Sequence, residues 1–484
     1  MAITSFNGGA SPIDASPRKQ TLSSNYVDFT SSDTEGWAQQ YLPDLMEKEA
    51  EIYGKRTIAG FLAQIGAEEP SAADRVIWSE QGRLHLAYTA KYKDSNDTYE
   101  IEKDVDGNAI GVNHGLRVGD MVIMSVANAT AKGYVSAINE DTDNAAEFTV
   151  IAYGAANMAT ALGSTATTSE LVRVLVIGSE FEKGTDGRSS ANAPKFVSHS
   201  NKHLIMKDYY EVSGSDTTSI GWVEVAGEEG QNGYLWYLKA EGDTRARFAD
   251  YLEMAMLEAE TADDAAGAIG GTDASTSDGT QGLFQAITVR GHQTSGISGV
   301  NAATDLAEFD AILATFDGQG AIEENMLFLD RSTSLAIDDM LSSMNSYGAG
   351  GTSYGVFDNS EDMALNLGFS GFRRGSYDFY KSDFKYLNDK GTRGALNDTV
   401  NNIRGVVVPA GVSSVYDEML GRNLKRPFLH VRYRQSATES RKMKTWITGS
   451  VGGAATSGKD VMEVHYLTER CLITQGANNF MLIN

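Results

Sequence analysis

The sequence is poor in cysteine, proline and histidine, and it lacks long hydrophobic runs. Its 484 residues include one cysteine, seven prolines and seven histidines. The single cysteine, Cys471, excludes an intramolecular disulfide framework and fits synthesis in a reducing compartment. No stretch approaches the ~18 apolar residues of a membrane span, and residues 1–20 contain no apolar stretch of signal-peptide length. We therefore expect a soluble chain that is not exported by the usual route and has no membrane partner.

Basic residues are scarce relative to acidic ones. The chain has 40 lysines and arginines against 65 aspartates and glutamates, a formal net charge of −25. This balance argues against a dedicated nucleic-acid reader, whose surface would be dominantly basic. An acidic surface keeps copies of a protein apart when they are crowded, which suits a chain that is present in many copies.

The residue types that usually bind metal or act as nucleophiles show no convincing arrangement. His199 and His203 are four residues apart but lie in a predicted strand. Asp104–Asn108 begins like a calcium loop, but Ala109 occupies the position that needs glycine, so a turn is favoured while weak ion binding stays open. Cys471 lies in LTERCLIT, where a small core residue is the favoured interpretation over a nucleophile. The sequence predicts no cofactor and no metal site.

Two further motifs resemble known sites but lack their context. Gly351–Gly355 (GTSYG) matches the nucleophile motif G-x-S-x-G with Ser353, but it lies in a glycine-rich stretch without a clear preceding strand. Gly453–Lys459 (GAATSGK) matches a phosphate-binding loop, except that Asp460 replaces the hydroxyl residue and a strand follows instead of a helix. We interpret both as loops, and we expect that the protein is not an enzyme.

One long amphipathic helix is predicted over Tyr234–Glu260, after an unusually long β-rich stretch. The chain is too long for a single core, so we expect two to four lobes in an α+β protein. The helix would span about 40 Å, which suits an element that joins separate lobes. Small or apolar residues recur on one face: Leu235, Leu238, Gly242, Ala246, Ala249, Leu252, Met256 and Ala259.

The sequence before this helix predicts an arm, a pair of extended strands and a small β domain. Residues 1–30 are mostly polar, and Asp33–Tyr53 has a helical pattern. Extended strands are expected near Val76–Tyr92 and Phe196–Val212. Four short strands between about 100 and 178 predict a barrel or sandwich inserted between those two strands.

The sequence after the helix mixes helices and strands and then becomes β-rich. Residues 282–291 (GLFQAITVRG) are predicted to be a strand, and residues 305–317 an amphipathic helix. NMLFLD is predicted to be a buried strand, followed by a helix capped by Ser332 or Thr333. The last third contains six predicted strands, ending in DVMEVHYLTER and CLITQG.

One segment, Arg422–Lys444, reverses the acidic balance. It carries eight cations against a single acid, Glu439, and such a cluster could face phosphate. The favoured alternative is that these cations pair with acidic neighbours in the same molecule or the next subunit, because stacking aromatics are not interleaved with them. The candidate contact residues are Lys425, Arg426, Arg432, Arg434, Arg441, Lys442 and Lys444.

Taken in order, these elements resemble the major capsid proteins of tailed bacteriophages, which have the HK-97-like fold. The resemblance covers nearly the whole chain but lies in element order rather than in an invariant motif, and the inserted β domain departs from the simplest family members. It implies an N-terminal arm and helix (1–60), an extended loop (61–103 and 178–232), an inserted β domain (104–177), a spine helix and peripheral domain (233–300), an axial domain (301–425) and C-terminal peripheral strands (426–484).

The resemblance also implies a function. The protein would self-assemble into an icosahedral shell that encloses viral double-stranded DNA without reading its sequence. Its partners would be itself, in hexamers and pentamers, together with portal, scaffolding and decoration proteins. It would be synthesised in the bacterial host cytoplasm and located in the virion. The candidate basic residues would contact the shell interior or neighbouring subunits.

Three alternatives stay open. An encapsulin-like nanocompartment shell would enclose an enzyme rather than a genome, and a phage tail protein would form rods or fibres. A hydrolase that uses Ser353 is the least favoured interpretation.

Overall fold

The computed structural model describes most of the chain after residue 60. The described residues are 61, 68–83, 85–94, 97–110, 114–126, 129–140, 146–163, 171–188, 196–215, 224–226, 232–261, 279–320, 322–344, 371–396, 402–410, 412–417, 422–451 and 458–484. The predicted arm and helix at 1–60 and the GTSYG motif with Ser353 lie outside them.

Strands make up most of the regular structure. In chain order they are β1 Glu68–Ser71, β2 Arg75–Gln81, β3 Ala87–Asp94, β4 Thr98–Asp104, β5 Asp120–Val126, β6 Ala129–Glu140, β7 Ala146–Ala152, β8 Leu171–Ser179, β9 Phe196–Lys202, β10 Leu204–Ser213, β11 Glu224–Ala226, β12 Asn232–Tyr234, β13 His292–Thr294, β14 Glu324–Leu329, β15 Gly371–Arg374, β16 Tyr377–Asp383, β17 Gly405–Pro409, β18 Val412–Asp417, β19 Arg422–Pro427, β20 Leu429–Arg434, β21 Lys444–Gly449, β22 Val461–Thr474 and β23 Met481–Ile483.

The helices are fewer, and the protein belongs to the mixed α+β class. They are α1 Met158–Ala161, α2 Leu235–Glu258, α3 Leu283–Arg290, α4 Ala302–Gln319, α5 Arg331–Met344 and α6 Lys385–Asn388. None of the helices within the described residues is both long enough and apolar enough to cross a membrane.

The chain divides into two compact units. Unit 2 is the continuous stretch Trp78–His199, and unit 1 combines Met1–Ile77 with Ser200–Asn484. The two boundaries fall within β2 and β9, which pair with each other. Unit 2 is thus an insertion in the sequence of unit 1.

Unit 2 is a closed six-stranded barrel. Its strands follow the order β3-β4-β7-β6-β5-β8. Alternate side chains point inward, as the period of two along a strand requires, and they fill the interior. Tyr99 is fully buried and stacks on Phe148 with ring centroids 5.7 Å apart. Asp97, between β3 and β4, accepts a hydrogen bond from the backbone N–H of Met158 at 2.9 Å and so joins this turn to the helix Met158–Ala161.

The barrel begins earlier in the sequence than the predicted β domain at 104–177. Its first two strands, β3 and β4, lie within the segment that the sequence analysis assigned to the extended loop. Tyr88, Ala90 and Ile101 from these strands are buried in the barrel core. The sequence signal that separates a strand of an extended loop from a strand of a barrel is weak, since both alternate with a period of two.

Unit 1 contains a six-stranded mixed sheet that is buried on both faces. Its order is β13-β23-β17-β14-β16-β15, with β14 parallel to β16 and antiparallel to β17. Leu327 and Leu329 of β14 point into one core with α4 and α5, whereas Phe328 points into a second core with α2 and α3. Continuous apolar sequence such as MLFL is what a doubly covered strand requires.

Unit 1 also contains a five-stranded sheet. Its order is β1-β20-β22-β10, and β21 also pairs with β22. β10 and β22 form an antiparallel ladder from Leu204↔Arg470 to Ser213↔Val461. α2 packs on one face, where Phe248 lies 6.1 Å from Tyr466 between ring centroids. Buried Asn201 donates to the carbonyl oxygens of Gln281 at 3.0 Å and Leu472 at 2.7 Å, so it joins β9 to the sheet and to the start of α3.

The predicted long helix is confirmed as α2, but its buried face is rotated. Leu252 and Met256 of the predicted stripe are buried as expected, but Thr244 and Phe248 are also buried and Gly242 is exposed. Phe248 determines which face of α2 is buried, because burying its ring removes far more apolar area from water than burying the small residues of the predicted stripe. Glu253, which lies outside the predicted apolar stripe, is buried as well.

The predictions for the elements after α2 are confirmed only in part. The amphipathic helix α4 and the buried strand β14 are confirmed, with Phe309 and Ile312 buried on α4. The strand predicted at 282–291 is wrong, because Leu283–Arg290 is helical. Asp330, not Ser332 or Thr333, caps α5 by accepting from the Thr333 N–H at 2.8 Å. The last two predicted strands form one continuous strand, β22.

We predict that Trp78–His199 folds when it is expressed alone. The barrel is closed, so its core does not need strands from elsewhere. The fragment should show one cooperative thermal transition by circular dichroism.

The matched fragment 104–177 lacks β3 and β4 and with them Tyr88, Tyr99 and Ile101 of the core. It should show no cooperative transition. Equal melting of both fragments would contradict the barrel boundaries.

Candidate functional site

The basic segment singled out from the sequence divides between two sheets. Arg432 and Arg434 lie on β20, while Arg441 and Lys442 precede β21, which begins at Lys444. Lys425 and Arg426 lie on β19, which pairs with β18 in a separate two-stranded ribbon. The structure therefore brings five of the seven candidates together on the five-stranded sheet.

The buried carboxylate of Glu469 lies at the centre of this group. Arg434 Nη1 donates to Glu469 Oε1 at 3.1 Å, and Arg441 Nε lies 2.5 Å from Glu469 Oε2. The Glu469 side chain is only 5% exposed. Two guanidinium groups offset the cost of burying one carboxylate here, which is the condition under which a buried charge is tolerated.

The next residue, Arg470, has the reverse arrangement: it is a buried cation with a carboxylate and a carbonyl oxygen as partners. Its Nη1 donates to Glu68 Oε1 at 2.7 Å, and its Nη2 donates to the backbone carbonyl oxygen of Lys442 at 2.9 Å. Glu68 also forms an ion pair with Lys442 Nζ. Burial lowers the pKa of the Arg470 guanidinium from its usual value, although the Glu68 carboxylate opposes that shift.

Arg432 and His203 lie on the margin of the same group. Arg432 Nη2 donates to Glu69 Oε2 at 3.1 Å. His203 Nδ1 lies 3.0 Å from the carbonyl oxygen of Asp74. Burial lowers the pKa of the His203 imidazole; Glu469 opposes this shift and Arg432 adds to it. We therefore expect His203 to stay neutral near pH 7.

Lys444 forms a solvent-exposed pair at the margin of the group. Its Nζ donates to Glu439 Oε1 at 2.6 Å, and the two side chains are 40% and 46% exposed. Lys444 holds the pKa of the Glu439 carboxyl below its ordinary value through this hydrogen bond. Solvent screens such a pair, so it adds little to stability.

The arrangement joins distant parts of the chain. Glu68, Glu69 and Asp74 come from the first described strands, whereas their cationic partners come from residues after 430. The five candidate cations at this sheet each have a carboxylate partner: Arg432, Arg434, Arg441, Lys442 and Lys444. A phosphate group would have to displace these carboxylates, so the geometry favours ion pairing within the molecule over direct phosphate binding at this sheet.

A row of stacked rings crosses β10, β22 and β21, and the sequence analysis missed it. His465 stacks between Tyr209 and Trp446, with centroid distances of 5.9 Å and 5.1 Å. The Thr448 Oγ1 lies 2.7 Å from His465 Nε2 and donates to Glu463 Oε2 at 3.0 Å. The sequence does show that Trp446 and Thr448 share one strand face, as do Glu463 and His465. It does not show the register that places these two strands side by side.

The remaining sequence motifs form turns and connections where they are described. The Asp104 carboxylate accepts from the backbone N–H groups of Asp106 at 3.0 Å and Asn108 at 2.8 Å, which is a local turn. Gly453–Lys459, which lies only partly within the described residues, connects the antiparallel strands β21 and β22. No group of three or more metal-ligating side chains occurs among the described residues.

Comparisons with known proteins give structural similarities only. No protein-family model matches the chain, and no curated protein matches it in sequence. A structure of Mycobacterium phage Ogopogo is 12% identical, with 90% of this chain and 96% of that chain covered and a TM-score of 0.41.

Two capsid structures are also similar. The capsid of a native GTA particle is 10% identical over 94% of this chain and 98% of that chain, with a TM-score of 0.36. The capsid of cyanophage P-SCSP1u is 10% identical over 63% and 79%, with a TM-score of 0.32. These structures belong to phages and capsids, the class that the predicted element order resembles. Their TM-scores lie below 0.5, so they assign no residue role to this chain.

We predict that Glu469→Gln destabilises unit 1 by about 2 kcal/mol, because it removes the buried carboxylate between Arg434 and Arg441 and leaves only their more exposed partners, Asp74 and Glu439. Scanning calorimetry would measure the loss as a lower transition temperature for unit 1. Glu439→Gln is the matched control at an exposed pair and should change that temperature much less. Equal effects would contradict the central position of Glu469.

We predict that Cys471 does not react with thiol reagents in the folded protein. Cys471 is 0% exposed, and burial raises the pKa of its thiol to about 12, so the reactive thiolate is scarce at neutral pH. Titration with a chromogenic disulfide should count no thiol before denaturation and one afterwards. The variant Ala137→Cys, at an exposed position on β6, should react at once. Rapid labelling of the unmodified chain would contradict this burial.

Proposed function

We propose that this chain is a major capsid protein, a structural subunit that self-assembles into the icosahedral shell around viral double-stranded DNA. The observation that carries the proposal is the order of elements along the chain. The paired strands β2 and β9 lead into an inserted barrel and back. They are followed by a long strand, a 24-residue helix, an α/β sheet and strands that return to the first sheet. This is the order that the resemblance to the HK-97-like fold predicts.

In this proposal each part of unit 1 has a place in the capsid fold. The five-stranded sheet with α2 as its spine would form the peripheral domain, and the six-stranded sheet with α4 and α5 would form the axial domain. β2 and β9 would belong to the extended loop, with unit 2 inserted in it. The last strand, β23, pairs with β13 and β17, so the axial sheet would also include residues from outside 301–425.

The physical basis of assembly would be burial between copies. Two-stranded ribbons such as β2 with β9 and β18 with β19 have too few strands for independent stability in water. Packing against neighbouring subunits, in hexamers and pentamers, would supply the missing burial. The acidic surface would limit unspecific aggregation during this process.

The candidate basic residues take a narrower role in this proposal. Because the carboxylates of the same sheet already engage Arg432, Arg434 and Arg441, they would maintain the subunit fold. Lys442 and Lys444, with side chains 46% and 40% exposed, would be available for the shell interior or for neighbouring subunits. Lys425 and Arg426 on the β18–β19 ribbon would have the same role. Portal, scaffolding and decoration proteins would be further partners, and the virion the final location.

Two other structural functions predict different particles. An encapsulin-like nanocompartment would form closed shells that contain protein cargo and lack DNA. A phage tail protein would form rods. The ordered insertion of a whole barrel in the extended strands favours the capsid over the nanocompartment, whose chains usually lack such a large insertion. The hydrolase alternative predicts that Ser353→Ala abolishes an activity and leaves assembly unchanged.

We predict that deletion of residues 1–30 leaves a folded protein that fails to form normal shells. These residues are polar and have few apolar anchors, so the fold of each unit should not depend on them. Circular dichroism should be unchanged, while sedimentation through a sucrose gradient should show the loss of fast-sedimenting particles. Normal shells from the truncated chain would contradict the proposed role of the arm.

A further inference from the structure

Strand β8 of the barrel is apolar on both faces, although only one face lines the barrel interior. Val172 and Val174 point inward and are 0% and 1% exposed. Leu171, Leu175 and Ile177 point outward and remain 48%, 41% and 47% exposed. A strand with apolar side chains on both faces is normally covered on both faces. The outer face of β8 is therefore a candidate contact surface.

The apolar surface continues onto the neighbouring strands. Leu175 pairs with Ala87 on β3 and with Ile123 on β5, and both of these side chains are half-buried. The barrel patch is defined here as Leu171, Leu175, Ile177, Ala87 and Ile123. Contiguous exposed apolar side chains of this kind mark contact sites more often than the scattered ones found on most surfaces.

Arg173 lies within the barrel patch, and a second cation, Lys91, is the cross-strand neighbour of Leu171 and pairs with Glu102 at 3.8 Å. Arg173 points outward between Leu171 and Leu175, and its cross-strand neighbours are the uncharged Thr89 and Ser125. The structure gives Arg173 no ion pair with any described residue. In a chain with 65 acidic and 40 basic residues, an apolar surface whose arginine forms no ion pair among the described residues is complementary to an acidic surface.

We propose that the barrel patch binds a second copy of this chain, at an acidic surface of that copy rather than at its own barrel patch. The inference rests on the proposed function, which brings many copies of the chain together. A two-fold contact between two barrel patches would bring two Arg173 side chains towards each other, and like charges oppose such a contact. A contact with a different, acidic surface avoids this repulsion and pairs Arg173 with a carboxylate.

Site-specific photo-crosslinking tests the contact directly. The only native cysteine is fully buried, so a benzophenone maleimide would label the full-length variant Ile177→Cys at one site. Mixing ¹⁵N-labelled and unlabelled chains before irradiation separates products between copies from products within one chain. Ala137→Cys, on the outer face of β6, is the matched control.

The proposal predicts inter-chain products from Ile177→Cys that are at least tenfold more abundant than those from Ala137→Cys. Mass spectrometry should place the attachment in acidic peptides outside residues 171–177. Products confined to one chain, equal yields from the two variants, or attachment at the barrel patch of the second copy would overturn it. If Ile177→Cys does not fold, Leu175→Cys provides the same probe two residues away.

Charge reversal supplies an independent measurement. Sedimentation velocity of the full chain should show self-association about tenfold weaker for Arg173→Glu than for Arg173→Lys, which keeps the charge. If the unmodified chain forms closed shells and Arg173→Glu associates equally well, the inference fails while the proposed function stands. If the unmodified chain associates through the barrel patch but forms no shell, the proposed function fails and the inference stands.

Discussion

The register of β22 is the constraint on which unit 1 depends. This strand pairs with β10, β20 and β21, and its side chains contribute to the core beneath α2 and to the ion-pair group on the sheet. Glu469 and Arg470 are consecutive, so they point to opposite faces. A slip of one residue would direct Glu469 towards the side of Glu68 and Arg470 towards Arg434 and Arg441. Like charges would then meet on both faces, so the two charged residues select one register.

The ion pairs on the five-stranded sheet limit which cations are available for contacts with other molecules. The five-stranded sheet uses many of its cations internally, in pairs that join residues 68–74 to residues after 430. The remaining surface of a chain with net charge −25 is dominated by carboxylates. In the proposed assembly, contacts between copies would rely on apolar area and on cations that form no ion pair among the described residues. The barrel patch with Arg173 has both properties, which is why unit 2 is the natural place to look for a contact.

Sequence periodicity correctly predicted the elements that have a clear local pattern of apolar residues. α2 and α4 have clear helical spacing, and β14 is a short apolar run between polar residues, so all three were found. α3 was mistaken for a strand because Ile287, Thr288 and Val289 favour strands locally. Packing of Leu283, Phe284 and Ile287 into the core overrides that preference. The ion-pair partners could not be predicted, since Glu68 and Arg470 are 402 residues apart and their pairing depends on the sheet topology.

Electron microscopy of the purified full-length chain in negative stain, at low and at raised salt, tests the central claim most directly. The account predicts closed icosahedral shells, or rings of five and six subunits, and raised salt should favour them by screening the repulsion between acidic copies. Rods under these conditions would contradict the capsid assignment and favour a tail component. Chains that remain monomeric at every salt and protein concentration, with no shell, ring or rod, would contradict self-assembly itself.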